Sequence, residues 1–258
     1  MPAEGWAIEL KGERFDVDDA REALQTPFDP WVEDYADDAG NKYALLRTAA
    51  WATLTEAGDV TRDAERIIVR LNGAARLIHE DARPLTVGEV FKFDASGKRV
   101  HVLFAATGHF QLTGGRVRLQ VQTPGKPPPP PAESKIQRWL REAEDDDVRA
   151  ELLSHIARAD NWYDVYKSAE LVRKLAGNAK LRAPRGPRER KDPRKRKEKV
   201  IVSAPALGPT DAALWNAMWQ TANCNRHAPD PIKYPLPTPP TDPQDARKIL
   251  FKVASKFL

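Results

Sequence analysis

Apolar positions recur along this chain at two different periods. At the start, Trp6, Ile8 and Leu10 alternate with Ala7 and Glu9, the pattern of an edge strand. Residues 15–24 form a short, acid-rich helical stretch, and residues 42–48 predict a second strand. Ala64, Ile67, Ile68, Leu71, Ala75 and Ile78 then recur at spacings of three and four, one face of an amphipathic helix. Asp59 or Thr61 is placed to cap it, and Pro84 lies just beyond its end. After that the period becomes two. Residues 87–93, 100–106 and 116–122 read as strands, with turns at 95–98 and 113–115. Arg116, Arg118, Gln120 and Gln122 face opposite to Val117, Leu119 and Val121. The expectation is an antiparallel meander with one helix on its apolar face.

Beyond residue 131 the period is helical throughout. Ile136, Trp139, Leu140 and Ala143 make one stripe, and Val148, Leu152, Ile156 and Ala157 continue it across Asp145-Asp146-Asp147, which predicts two helices with a tight junction. Asp160-Asn161 caps a helix carrying Trp162, Val165, Tyr166, Ala169, Val172 and Leu175, ending at Gly177. Pro209-Thr210-Asp211 opens another, with Leu214, Trp215, Met218, Trp219 and Ala222. The last starts at Thr241-Asp242-Pro243 and carries Ala246, Ile249, Leu250, Val253, Ala254 and Phe257. Such stripes predict a small bundle, with the tryptophans in its core.

Proline placement divides the chain. Of 22 prolines, 18 lie beyond residue 123, and Pro127 to Pro131 form a run that stiffens as polyproline II over about 15 Å. The predicted fold is therefore α+β: an antiparallel-sheet-plus-helix domain over 1–123, a proline-rich linker over 124–135, and a helical bundle over 136–258 interrupted by a basic segment at 182–200.

Charge sharpens this picture. The chain has a formal net charge of +4. Residues 182–199 hold ten lysines and arginines against Glu189, Asp192 and Glu198, a net +7, so the other 240 residues sum to −3. Arg188, Arg190, Lys191, Arg194, Lys195, Arg196, Lys197 and Lys199 are thus candidate phosphate contacts for RNA or DNA, electrostatic and without sequence preference. The same run also suits an extended, solvated linker. It contains no aromatic residue for base stacking.

Other chemistry is sparse. The lone cysteine, Cys224, allows no intramolecular disulfide and fits a cytoplasmic setting. The first residues show no secretory leader, and no apolar run reaches the roughly 20 residues of a membrane span, so a soluble chain is expected. No Walker loop, dinucleotide fingerprint or zincin motif is present. His101 and His109 have no carboxylate or thiolate beside them at ligand spacing, so no metal or cofactor is expected.

The sequence Asn161-Trp162-Tyr163-Asp164-Val165-Tyr166-Lys167-Ser168-Ala169-Glu170, and Asn225-Arg226-His227-Ala228 followed by a proline-rich stretch and a final helix, resemble helical C-terminal modules of uncharacterised bacterial proteins. Those modules are similar to the HEPN class, including abortive-infection-type domains. The resemblance spans residues 136–258. It implies a dimeric ribonuclease, or an inactive relative, acting in bacterial stress or phage defence. In it Arg226 would steady phosphate charge and His227 would move the 2′-hydroxyl proton. Here the two are adjacent, about 100° apart on a helix, rather than four to six residues apart. Arg149 and His155 have the nominal spacing but lie in an earlier helix. Asn223, Asn225, Arg226 and His227 can equally close a helix C-terminus. The sequence thus favours a non-catalytic two-module binding or regulatory protein associating with nucleic acid, with a protein partner or a second copy on the bundle, ahead of the ribonuclease.

Overall fold

A computed structural model describes residues 4–103, 131–176, 207–226, 236–237 and 239–258. The predicted strand at 116–122, prolines 127–130, the basic residues of 182–199 and residues 227–235 lie outside the described residues. The described chain forms two compact units, residues 1–145 and 146–258.

The first unit is α+β. Five antiparallel strands, β1 (Gly5–Lys11), β2 (Trp31–Ala36), β3 (Lys42–Arg47), β4 (Thr86–Phe93) and β5 (Arg99–Leu103), form a curled sheet in the order β2-β3-β1-β4-β5. Helix α1 (Arg14–Ala23) follows β1, and α2 (Ala57–Ile78) packs on β4 and β1. β4 and β5, the first two strands of the expected meander, are antiparallel neighbours, and the third at 116–122 lies outside the described residues; β1, read as an edge strand, sits instead at the centre of the sheet. Its edge-like alternation is misleading: Trp6, Ala7, Ile8 and Leu10 are all buried. Glu9, the polar residue of the pattern, folds across Gly88 and accepts the Glu89 backbone N–H at 3.0 Å, where the β1–β4 register shifts. A Cβ at Gly88 would collide with the Glu9 side chain. On the face that carries Ala7, Leu45, Phe91 and Phe93, Tyr35 and Tyr43 pack against the buried cluster.

Helix α2 begins at Ala57, earlier than expected, and Glu56 precedes it without a side-chain cap. Thr61 instead donates back to the Ala57 carbonyl at 2.9 Å. Ala64, Ile67, Ile68 and Leu71 are buried as predicted, whereas Ile78 is exposed. The inward face shifts to Asn72 and Ala74 near the helix end. There the Asn72 amide accepts the Leu85 N–H at 2.8 Å and donates to the Leu85 carbonyl at 2.9 Å, tying α2 to the start of β4.

Helix α3 (Lys135–Asp145), which the sequence assigns to the bundle, packs on α2 in the first unit. Its Gln137 is fully buried and donates to the carbonyls of Gln25 at 2.8 Å and Pro30 at 3.0 Å. Glu144 accepts from Arg66 and Arg70 of α2. These long-range polar contacts hold α3 to the sheet domain, and apolar periodicity is blind to them.

The second unit contains α4 (Asp147–Ile156), α5 (Trp162–Ala176), α6 (Pro209–Arg226) and α7 (Pro243–Ala254), with α5 against each of the other three. The junction at Asp145-Asp146-Asp147 is as predicted, and Asp146 accepts the N–H groups of Val148 and Arg149 as the N-cap of α4. Asp242 caps α7, with Pro243 in its first turn. Leu152, Ile156, Ala169, Val172, Ala212, Met218, Leu250 and Val253 are among the core residues. Leu214, expected inside, is exposed.

Candidate functional site

Of the two residues a ribonuclease reading needs, Arg226 is the last residue of α6, and His227 lies outside the described residues. The phosphate-contact candidates from Arg188 to Lys199 lie outside them as well, as do His109, Arg116 and Arg118. His101 joins the β4–β5 ladder opposite Lys92.

Arg226 is firmly engaged. Its guanidinium lies over the Tyr166 ring, 4.2 Å from the centroid, and 3.7 Å from a Glu170 carboxylate oxygen. Tyr166 stacks in turn on Trp219, with centroids 4.7 Å apart and ring planes 30° apart. Over Trp219 lies Arg173, 4.4 Å from the ring centroid. The result is a column of four planar groups, Arg226–Tyr166–Trp219–Arg173, contributed alternately by α6 and α5. Helical spacing produces it. Tyr166, Glu170 and Arg173 sit at i, i+4 and i+7 on α5, and Trp219 and Arg226 at i and i+7 on α6. Tyr166 is buried, Trp219 is half-buried and Arg226 is exposed.

One carboxylate serves this column among the described residues. Glu170 accepts from the Tyr166 hydroxyl at 2.9 Å and from the Lys167 ammonium at 2.9 Å. Burial alone would push its pKa up. The hydrogen bonds from Lys167 and Tyr166, with the charges of Lys167 and Arg226, outweigh that and hold it below the usual glutamate value. Burial and the bond to Glu170 raise the Tyr166 hydroxyl, and the same carboxylate raises Lys167. Arg173 and the exposed Lys174 form no ion pair among the described residues. Lys167, Arg173, Lys174 and Arg226 therefore set four cations against Glu170.

Two neighbours complete the polar inventory of the unit. Asn225 donates its side-chain amide to the Thr221 carbonyl, one turn back along α6, at 2.8 Å. On α4 and α5, the buried His155 Nδ1 and Asp164 Oδ1 are 2.6 Å apart. Asp164 also receives the Asn161 amide at 2.7 Å. The sequence did not single out Asp164, because its partner lies nine positions away across a helix junction. Arg149, at nominal motif spacing from His155, turns elsewhere, to the carboxylate of Asp146 and the main-chain carbonyl of Leu258. Six positions put the two residues about 120° apart around a helix.

The first unit offers a different environment. A cavity of about 240 Å³ lies between α1 and α2, floored by Leu71, Ala75 and Leu85. Asp16, Asp19 and Glu22 line it together with His79, Arg83 and Lys135, so its lining carries charges of both signs.

Comparison with known proteins finds no matching family model, no similar curated protein and no similar solved structure. The resemblance to HEPN modules rests on the sequence motifs alone, and the geometry above has to carry any functional reading.

Proposed function

We propose that this chain is a non-catalytic, two-module binding protein that associates with RNA or DNA through its basic segment, with Arg188, Arg190, Lys191, Arg194, Lys195, Arg196, Lys197 and Lys199 neutralising phosphates. The observation that carries the reading is the concentration of a net +7 in residues 182–199 of a chain that otherwise sums to −3. Affinity from such a segment is electrostatic and indifferent to base sequence. The described cations of α5 and α6 have the same sign and support it.

The engagement of Arg226 favours binding over ribonuclease chemistry. The Arg226 guanidinium lies over Tyr166 with a Glu170 oxygen 3.7 Å away, a placement that suits stacking more than the steadying of charge on a phosphate during cleavage. The two readings separate in one tube. Labelled single-stranded RNA is titrated with the purified protein, and the same mixtures are then run on a denaturing gel. Salt-sensitive binding with full-length RNA recovered is the expected result. Shortened RNA that disappears in Arg226→Ala or His227→Ala would replace the binding reading with the ribonuclease.

A further inference from the structure

The geometry points to a second contact for the same class of ligand: we propose that the Arg226–Tyr166–Trp219–Arg173 column is a docking point for the bases of single-stranded nucleic acid. This deepens the reading above and rests on it. The basic run contains no aromatic residue, so it supplies attraction without a surface on which a base can lie.

The column supplies that surface. Each ring is covered on one face by the other ring and on the other by a guanidinium. A base therefore meets the column at its ends, on the planar guanidinium groups of Arg173 and Arg226, and bases do stack on arginine planes. A guanidinium centred over a ring, as Arg226 and Arg173 are, is pre-organised for this, because part of its rotamer freedom is already spent on folding. Arg226 keeps 29% of its side-chain surface exposed, so that end of the column is accessible.

Charge completes the case. Lys167 and Arg226 share Glu170, while Arg173 and Lys174 have no carboxylate partner among the described residues. Phosphates flanking a stacked base would find cations on the same pair of helices. In sequence, the run beginning at Arg182 follows the end of α5 by six positions. A duplex hides its base faces, so the column distinguishes single strands from duplexes, whereas a purely electrostatic segment does so only weakly.

The test uses the full-length chain, a 20-nucleotide single strand and a 20-base-pair duplex, at two salt concentrations. Wild type should bind the single strand more tightly than the duplex. Arg173→Lys with Arg226→Lys keeps the charge and removes the planes. It should lose about tenfold in single-strand affinity with duplex affinity and salt slope unchanged. Equal affinity of wild type and the lysine variant for the single strand would overturn the proposal, as would an equal loss on both ligands. If the lysine variant fails to fold, as judged by circular dichroism, the decision passes to a chain with all ten lysines and arginines of 182–199 changed to glutamine. Residual single-strand preference in that chain supports the column, and its absence overturns it. A polyglutamate peptide of matched charge that competes as well as the oligonucleotide would also overturn it. Failure of wild type to bind either nucleic acid would bring down the reading of the basic segment too, whereas binding lost only on neutralising 182–199 would leave that reading standing and remove the column.

Discussion

Two carboxylates in the helical unit, Asp164 and Glu170, lie six positions apart on α5 and do different work. Asp164 is buried against His155, so removing it leaves a buried imidazole without its closest partner. Asp164→Ala is expected to cost about 3 kcal/mol in urea unfolding, while Asp164→Asn recovers part of this. A loss well under 1 kcal/mol would mean the pair contributes little. Glu170 is held below its ordinary pKa in the folded state, so its ionised form favours folding. That contribution is present above about pH 4.5 and fades as pH falls through the lower folded value. Unfolding followed from pH 6 to about pH 3 should therefore show a shallower acid loss in Glu170→Gln than in wild type. Identical acid profiles would contradict this role for Glu170. The Arg226 side of the cluster was legible from sequence as a polar helix end beside tryptophans. Its stacking on Tyr166 was not, because the two residues are sixty positions apart and only the α5–α6 packing joins them.

At the scale of elements, periodicity found most helices and misplaced two features for definable reasons. The helices from α4 to α7 were legible because their apolar stripes repeat at three and four residues and begin with good caps, Asp146 and Asp242 among them. β1 reads as an edge strand because Glu9 interrupts an apolar run, yet Glu9 is consumed by the bulge at Gly88 and the strand is central. β2 went unread, since Trp31–Ala36 alternates only weakly and its partner β3 supplies most of the burial. α3 was given to the bundle because its stripe runs on into α4, whereas Gln137 and Glu144 hold it to the sheet unit. Gln137 is the decisive one. Replacing it with alanine leaves the Gln25 and Pro30 carbonyls without their buried donor and should cost about 2 kcal/mol. Amide hydrogen exchange should speed up in α3 and the 25–30 loop while the protection of β1 is unchanged. Unchanged exchange in α3 would show that its apolar stripe alone secures it.

Over the whole molecule, charge is the property that sets one segment apart. The residues outside 182–199 are weakly acidic in sum, and on α5 Arg173 and Lys174, beside the column, have no ion pair among the described residues. No helix among the described residues is long and apolar enough to cross a membrane. On the reading proposed above, the partner would be a polyanion met first by long-range attraction and then by stacking. Eight phosphate contacts from Arg188 to Lys199 would set a log–log salt slope of about 6 in magnitude on a single strand. The most direct measurement is that slope, taken on the full-length chain and on the chain with all ten lysines and arginines of 182–199 changed to glutamine. Binding should weaken steeply with salt in the first and both weaken and flatten in the second. Equal affinity and an equal slope in the two proteins would show that the basic segment does not bind nucleic acid.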